Sequence, residues 1–188
     1  MIFQKEMTWM EEQIAVQCAP LLAGLKPSNL LILPGGMEAV LAHSLRETGV
    51  DFSCLSEYGE KQVYLLFDKE KLMVHLTRPK VWNLLQELGY EGRELEQLLR
   101  MVSQKYTAHI RSKAEFPHEL GLLLGYPEVD VKGFMEHKGK EFLYSGYWKV
   151  YGDTTRAQRT FENYNRCRKF LCGRLSQGDD IYRALKIS

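Results

Sequence analysis

Apolar side chains recur at the three- to four-residue spacing of a helix in several parts of the chain, and each of these parts is predicted to be helical. The predicted helices cover residues 5–24, 37–48, 79–88, 93–110, 117–125, 127–139 and 154–176. Proline opens three of them and glycine follows several, at positions where helices commonly begin and end. From residue 78 onward the pattern therefore predicts only helices and loops.

Apolar positions alternate between residues 50 and 77, which is typical of strands with one buried face. Three segments show this best, Val50–Glu57, Lys61–Asp68 and Lys71–Thr77, and we expect an antiparallel meander with a tight turn at Asp68–Glu70. The short apolar run Asn29–Leu33 predicts a buried strand. The predicted fold is therefore α+β, with a small, mainly antiparallel sheet of about four strands covered by helices and an all-helical C-terminal half.

The length and composition fit one cytoplasmic domain. We expect residues 1–188 to form a single domain, with an α/β part containing the meander over 1–77 and a helical part over 78–188. No apolar run reaches the roughly 20 residues of a membrane span, and three glutamates among the first 12 residues interrupt the stretch where a signal peptide would be apolar. Four cysteines without the short spacing of a metal site fit a reducing compartment. We therefore expect no contact with a membrane.

The net charge of +1 hides an uneven distribution. Residues 1–153 carry 17 Lys and Arg against 21 Asp and Glu, whereas residues 154–188 carry 8 against 3. A basic C-terminal helix could meet an acidic protein partner, a phosphate or a nucleic acid. The alternative is a solvated helix face that complements the acidic remainder of the chain.

One segment, residues 116–153, concentrates residues that shape binding surfaces. It holds 8 of the 21 aromatic residues, 6 of the 15 glycines and two of the six prolines. Such a composition places aromatic contact area next to backbone positions that need the freedom of glycine. This aromatic segment is the predicted binding surface.

The same segment carries a family resemblance. The stretches that match are Phe116–Gly121, Leu124–Pro127, Asp130–Phe134 and Gly146–Asp153, with Cys18–Pro27 upstream. This pattern resembles the domain-of-unknown-function 3793 family, known mainly from clostridia and related bacteria, over most of the chain. The resemblance implies a cytoplasmic protein of anaerobic bacteria and implies no mechanism, because the family carries no activity that could be transferred.

The end of the aromatic segment is the strongest local candidate for a ligand site. If it is extended, Tyr147, Lys149 and Tyr151 share one face. Two tyrosines that flank a lysine can stack on a planar ligand and offer it a cation. The alternative is that Trp148 belongs to the core, while Asp153 caps the last long helix.

His118 is the candidate catalytic residue. A histidine in the first turn of a helix can act as a general acid or base or as a metal ligand. The alternative is structural, with Phe116 and Pro117 starting the helix and Glu119 complementing its dipole.

Other chemistry is weakly supported. Cys18 is the best thiol for a metal or haem site because it lies in a family-like stretch, but free cysteines are commonly small buried hydrophobes. Two glycines at Pro34–Gly36 could offer backbone N–H groups to an anion, without the longer glycine pattern of a phosphate loop. Residues 117–138 resemble a helix-turn-helix only loosely, and the second helix is acidic, so we do not expect nucleic acid as a partner. No cofactor can be assigned.

Three hypotheses follow. The first is a cytoplasmic binding or accessory protein that holds a small planar or anionic ligand, or docks a partner, through 116–153, and its predicted ligand-binding residues are Tyr147, Trp148, Lys149, Tyr151 and His118. The second is an enzyme of unknown reaction, with His118 as acid or base and Lys149 or Tyr147 stabilising developing charge. The third is an interaction module that uses the basic C-terminal helix against an acidic partner.

Overall fold

Helices and strands alternate in the first 67 residues, and helices dominate the remainder. The computed structural model describes residues 2–186. Its elements are α1 (Ile2–Leu22), β1 (Ser28–Pro34), α2 (Glu38–Leu45), β2 (Asp51–Tyr58), β3 (Lys61–Phe67), α3 (Lys69–Leu76), α4 (Pro79–Glu87), α5 (Leu95–Ser112), α6 (Glu119–Leu123), α7 (Glu128–Glu136), β4 (Tyr144–Ser145), β5 (Lys149–Val150), α8 (Thr154–Ser176) and α9 (Ile181–Leu185). The predicted α+β class is confirmed. In residues 2–186, no helix combines the length and apolarity needed to cross a membrane.

The main sheet has three antiparallel strands with β3 at its centre, in the order β1–β3–β2. Neighbouring residues of β3 point to opposite faces, so the strand serves two cores. Tyr64 and Leu66 pack against α1 and α2, whereas Leu65 and Phe67 pack against α3, α4, α5 and α6. The sheet is thus covered by helices on both faces.

The prediction of a third meander strand at Lys71–Thr77 is wrong, because this segment forms most of the helix α3. Leu72 and Leu76 are four positions apart and are both buried, whereas Val74 between them is 63% exposed. That burial follows the helical period, in which residues four apart share a face. Asp68 was expected in a turn, but its side chain accepts a hydrogen bond from the Lys71 backbone N–H (3.0 Å) and caps α3. The sheet therefore has three strands rather than about four.

The C-terminal half is not entirely helical, because β4 and β5 form a short antiparallel hairpin. The hairpin packs on the first turns of α8, where Val150 is buried against Ala157 and Phe161. Gly133 on α7 permits the close approach of the chain after β5, since a Cβ there would lie 2.6 Å from the Cβ of Tyr151. The predicted cap of α8 is confirmed, with Asp153 accepting from the Arg156 N–H (2.9 Å). The helix α9 was not predicted.

Candidate functional site

A single buried carboxylate fixes the hairpin to α7. One oxygen of Asp130 accepts hydrogen bonds from the backbone N–H groups of Tyr151 (2.8 Å) and Gly152 (2.9 Å), and the other accepts from the indole N–H of Trp148 (2.7 Å). Asp130 is only 4% exposed. Three donors on one buried acceptor group hold Trp148 in a defined position.

Trp148 lines a cavity of about 400 Å³ together with Phe116, His118, Tyr126 and Phe134. We call it the aromatic cavity. One wall is a row of rings in which His118 lies 5.8 Å from Phe116 and 5.6 Å from Phe134 between ring centroids. The lining also includes Tyr126 and Trp148, whose rings stack at 4.8 Å between centroids. Cavities of this size, with apolar walls and few polar groups, are typical of small-molecule sites.

The polar side chains that line the cavity include those of Lys149 and His118, together with Asp130 and Ser145. The Lys149 ammonium donates to the Gly139 carbonyl (2.6 Å) and lies 4.9 Å from the centroid of Phe142. One carbonyl cannot occupy all three of its protons, so it can still donate to a ligand. His118 Nε2 is 3.9 Å from the carboxylate of Glu115, whose side chain is 88% exposed.

The structure brings three of the five predicted ligand-binding residues together and places two elsewhere. His118, Trp148 and Lys149 line the aromatic cavity. Tyr147 packs on α8 with its hydroxyl donating to Asn165 (2.9 Å), whereas Tyr151 stacks on His137 and donates to the Lys140 carbonyl (3.0 Å). In a regular strand, neighbours such as Trp148 and Lys149 would point to opposite faces. Strand pairing here covers only two residues on each side of the hairpin, and Trp148 lies outside it, so both residues can line one cavity.

A buried network anchors the helix that follows His118. Glu119 is 2% exposed, and its Oε1 accepts from the Tyr90 hydroxyl (2.7 Å) and the Lys105 ammonium (2.8 Å). Burial and the hydrogen bond to Glu119 raise the pKa of Tyr90. Glu119 therefore does more than complement the helix dipole, because it ties α6 to α5 and to the loop before it.

Sequence reasoning missed a buried lysine. Lys26 is 4% exposed and donates to the amide oxygen of Asn29 (2.7 Å), with the rings of Tyr126 and Tyr164 5.5 and 5.9 Å away. No carboxylate in residues 4–186 pairs with it. Desolvation lowers the pKa of Lys26 to about 8. Its place in the family-like stretch is the only sequence signal, and that signal says nothing about burial.

Lys26 should make folding depend on pH. The unfolded chain holds the proton up to the ordinary pKa of 10.5, whereas the folded protein releases it near 8, so the free energy of unfolding rises with pH between these values. The difference between the two pKa values corresponds to about 3 kcal/mol. We expect urea denaturation to show that the free energy of unfolding of the wild type, relative to that of Lys26→Met, rises by about 3 kcal/mol between about pH 7 and about pH 10.5.

The same substitution at exposed Lys140 is the matched control. A difference between wild type and Lys26→Met that stays constant with pH would show that Lys26 is not held in a desolvated site.

Cys18, the weak metal candidate, lies beside Lys26 in the core. It is fully buried, and burial raises the pKa of its thiol to about 12. Its sulfur contacts the Asn29 amide (3.5 Å) and the Leu30 carbonyl (3.7 Å). In the part of the chain that the structure describes, no three His, Cys, Asp or Glu side chains form a group that could hold a metal ion.

Comparison with known proteins gives one match. The model of a family described as "Protein of unknown function (DUF3793)" matches residues 14–185. Neither the curated proteins nor the solved structures contain a match.

Proposed function

We propose that this chain, which belongs to the DUF3793 family, is a small-molecule-binding protein. Its ligand occupies the aromatic cavity. The supporting observation is a volume of about 400 Å³ whose lining includes four aromatic residues, a histidine and a lysine. The ligand is flat and mainly apolar, with one anionic group.

The shape of the ligand follows from the walls. Phe116, Tyr126, Phe134 and Trp148 all line the cavity, together with the ring of His118. Flat rings make offset or edge-to-face contacts with such walls over a large area. An aliphatic ligand of the same volume would fit less closely.

The anionic group follows from the charged residues of the cavity. Asp130 also lines it, but that carboxylate already accepts three hydrogen bonds. Lys149 is the lining cation, and its remaining protons are available to a ligand. An anion placed beside Lys149 and His118 would gain charge-assisted hydrogen bonds.

The test compares two probes of the same ring system by calorimetry, 2-naphthoate and the neutral 2-naphthalenemethanol. Wild type should bind naphthoate about tenfold more tightly, because only the acid can pair with Lys149. Lys149→Met keeps the length of the side chain and should abolish this preference. Lys140→Met is the control because Lys140 is exposed and outside the cavity.

A second variant tests the position of the ligand. Ser145 is exposed and lines the cavity, so Ser145→Trp should fill it and abolish binding of both probes. The same substitution at Ser176, an exposed residue at the end of α8, should leave both affinities unchanged. If both probes bind Ser145→Trp and Lys149→Met as they bind wild type, the proposal is wrong.

The catalytic role of His118 stays a hypothesis within the same cavity. His118→Ala should then abolish turnover of a cavity ligand while the fold survives, as near-ultraviolet circular dichroism would show. Full activity of the variant would remove the enzymatic alternative.

A further inference from the structure

A second concavity, which we call the polar cleft, also borders Trp148 and has more polar lining residues than the aromatic cavity. It measures about 610 Å³ and shares only Asp130 and Trp148 with the aromatic cavity. An adjoining part of about 410 Å³ shares several of its lining residues, among them His75, Arg78 and Arg156. The cleft lies between α3, the loop 24–27 and the first turns of α4, α7 and α8.

The acidic residues of the polar cleft are mostly engaged. Asp130 accepts three hydrogen bonds, and Asp153 caps α8. Glu128 lies 3.7 Å from the Lys80 ammonium. Of the four lining carboxylates, only that of Glu70, at the start of α3, has no hydrogen bond or ion pair within residues 4–186.

The cationic residues are much less engaged. The guanidinium groups of Arg78 and Arg156 form no ion pair and no side-chain hydrogen bond with any residue that the structure describes, although both line the cleft. Lys26 also lines it, donates to the amide oxygen of Asn29, and lies near two aromatic rings and the thiol of Cys18. Lys71 is paired with Asp68 (3.1 Å). Three cations without a carboxylate partner therefore face one unengaged carboxylate.

His75 contributes a buried and partly unsatisfied imidazole ring to the wall of the cleft. Its side chain is 91% buried and lines both parts of the cleft, yet its Nε2 is buried without a hydrogen-bond partner in the described residues. A buried polar atom left unpaired costs about 1–3 kcal/mol. Burial and the neighbouring Arg78 lower the pKa of His75, and an anion in the cleft would reverse that effect by favouring the charged ring.

Backbone geometry adds to the positive potential. The helices α4, α7 and α8 all begin at the cleft, with Arg78, Pro127 and Asp153 as their capping residues. The N-terminus of each helix carries a partial positive charge from its unpaired N–H groups. Side-chain cations and helix termini thus act on the same volume.

We propose that the polar cleft binds a phosphate group, with Arg78 and Arg156 as its charge partners and with Lys26 as a further donor. Guanidinium groups match the oxygens of phosphate in pairs, which suits two unpaired arginines. The cleft is far larger than a phosphate ion, and it is also lined by Trp148 and Tyr164. Its size therefore favours a phosphorylated organic molecule over the free ion.

Calorimetric titration with inorganic phosphate and phenyl phosphate tests the proposal. We expect saturable binding to wild type and a loss of about tenfold in affinity in Arg78→Gln and in Arg156→Gln, with about a hundredfold loss in the double variant. Arg159→Gln and Arg100→Gln remove exposed arginines from α8 and α5 outside the cleft, and should bind as wild type does. Tighter binding of phenyl phosphate identifies an organic phosphate as the ligand class, and equal binding identifies the free ion.

Two readouts separate loss of binding from loss of fold. Arg78 and Arg156 have no side-chain partner in residues 4–186, so their variants should melt at the temperature of the wild type. The same variants should bind 2-naphthoate normally, because neither arginine lines the aromatic cavity. The proposal is overturned if wild type shows no saturable binding of either phosphate up to about 10 mM, or if the cleft variants bind like the two controls.

Discussion

Replacing Asp130 with alanine should lower the free energy of unfolding by about 4 kcal/mol or more. The substitution leaves the indole N–H of Trp148 and the backbone N–H groups of Tyr151 and Gly152 without their acceptor. The three hydrogen bonds are partly buried, and each donor that loses its acceptor costs up to about 1–3 kcal/mol. Urea denaturation followed by far-ultraviolet circular dichroism measures the change.

Asp153→Ala is the matched control. Asp153 also accepts from a backbone N–H, but it is an exposed helix cap, so its loss should cost only about 1 kcal/mol. Equal effects at Asp130 and Asp153 would show that the three hydrogen bonds of Asp130 do not hold the hairpin.

A double-mutant cycle identifies which bond matters for the cavity wall. In Asp130→Asn the amide oxygen can keep both backbone bonds, which places the amide NH₂ against the indole N–H of Trp148, donor against donor. Trp148→Phe removes that N–H, so Asp130→Asn should be about 1–2 kcal/mol less costly in the Trp148→Phe background. Additive effects would contradict the assignment.

Glu119→Ala should have the second-largest effect, about 4 kcal/mol. It leaves the buried hydroxyl of Tyr90 without its acceptor and Lys105 without its carboxylate. Glu115→Ala is the control, because Glu115 lies four residues away and is almost fully exposed. Two-dimensional NMR of the same variants should show the largest shifts in α5 and α6.

The pH dependence of the stability of Tyr90→Phe tests the same hydrogen-bond network around Glu119. The folded-state pKa of Tyr90 is raised above its ordinary value of 10.0, so the unfolded chain loses the proton first and the free energy of unfolding falls above about pH 10. Tyr90→Phe lacks this group, so its stability deficit relative to wild type should shrink above that pH. A deficit that is constant with pH would show that Tyr90 is not constrained by Glu119.

The long helices could be predicted from sequence because their apolar side chains repeat the helical spacing over many residues. The segment 71–77 failed because its few apolar residues satisfy two periods at once. Leu72 and Leu76 fit a helix, and adding Val74 fits a strand. Only the neighbouring structure decides between them, through the cap at Asp68 and the burial of both leucines. Short segments carry too little local preference to resist such tertiary effects.

Of the two candidate sites, the sequence pointed to one and gave no sign of the other. The aromatic segment was visible because its residues are close together in the chain, and His118, Trp148 and Lys149 do line one cavity. The polar cleft was invisible because Arg78 and Arg156 are 78 positions apart and look like ordinary surface arginines. Both arginines are exposed in the structure, and no local pattern encodes that they line the same cleft.

The position of β3 between two cores limits how the chain can be shortened. A fragment ending at residue 77 would retain the sheet but lose α4, α5 and α6, which cover one of its faces. Leu65 and Phe67 would then keep only α3 as helical cover on that face. Such a fragment should self-associate rather than fold independently, so crystallisation or display of the N-terminal half alone would require mutation of that face.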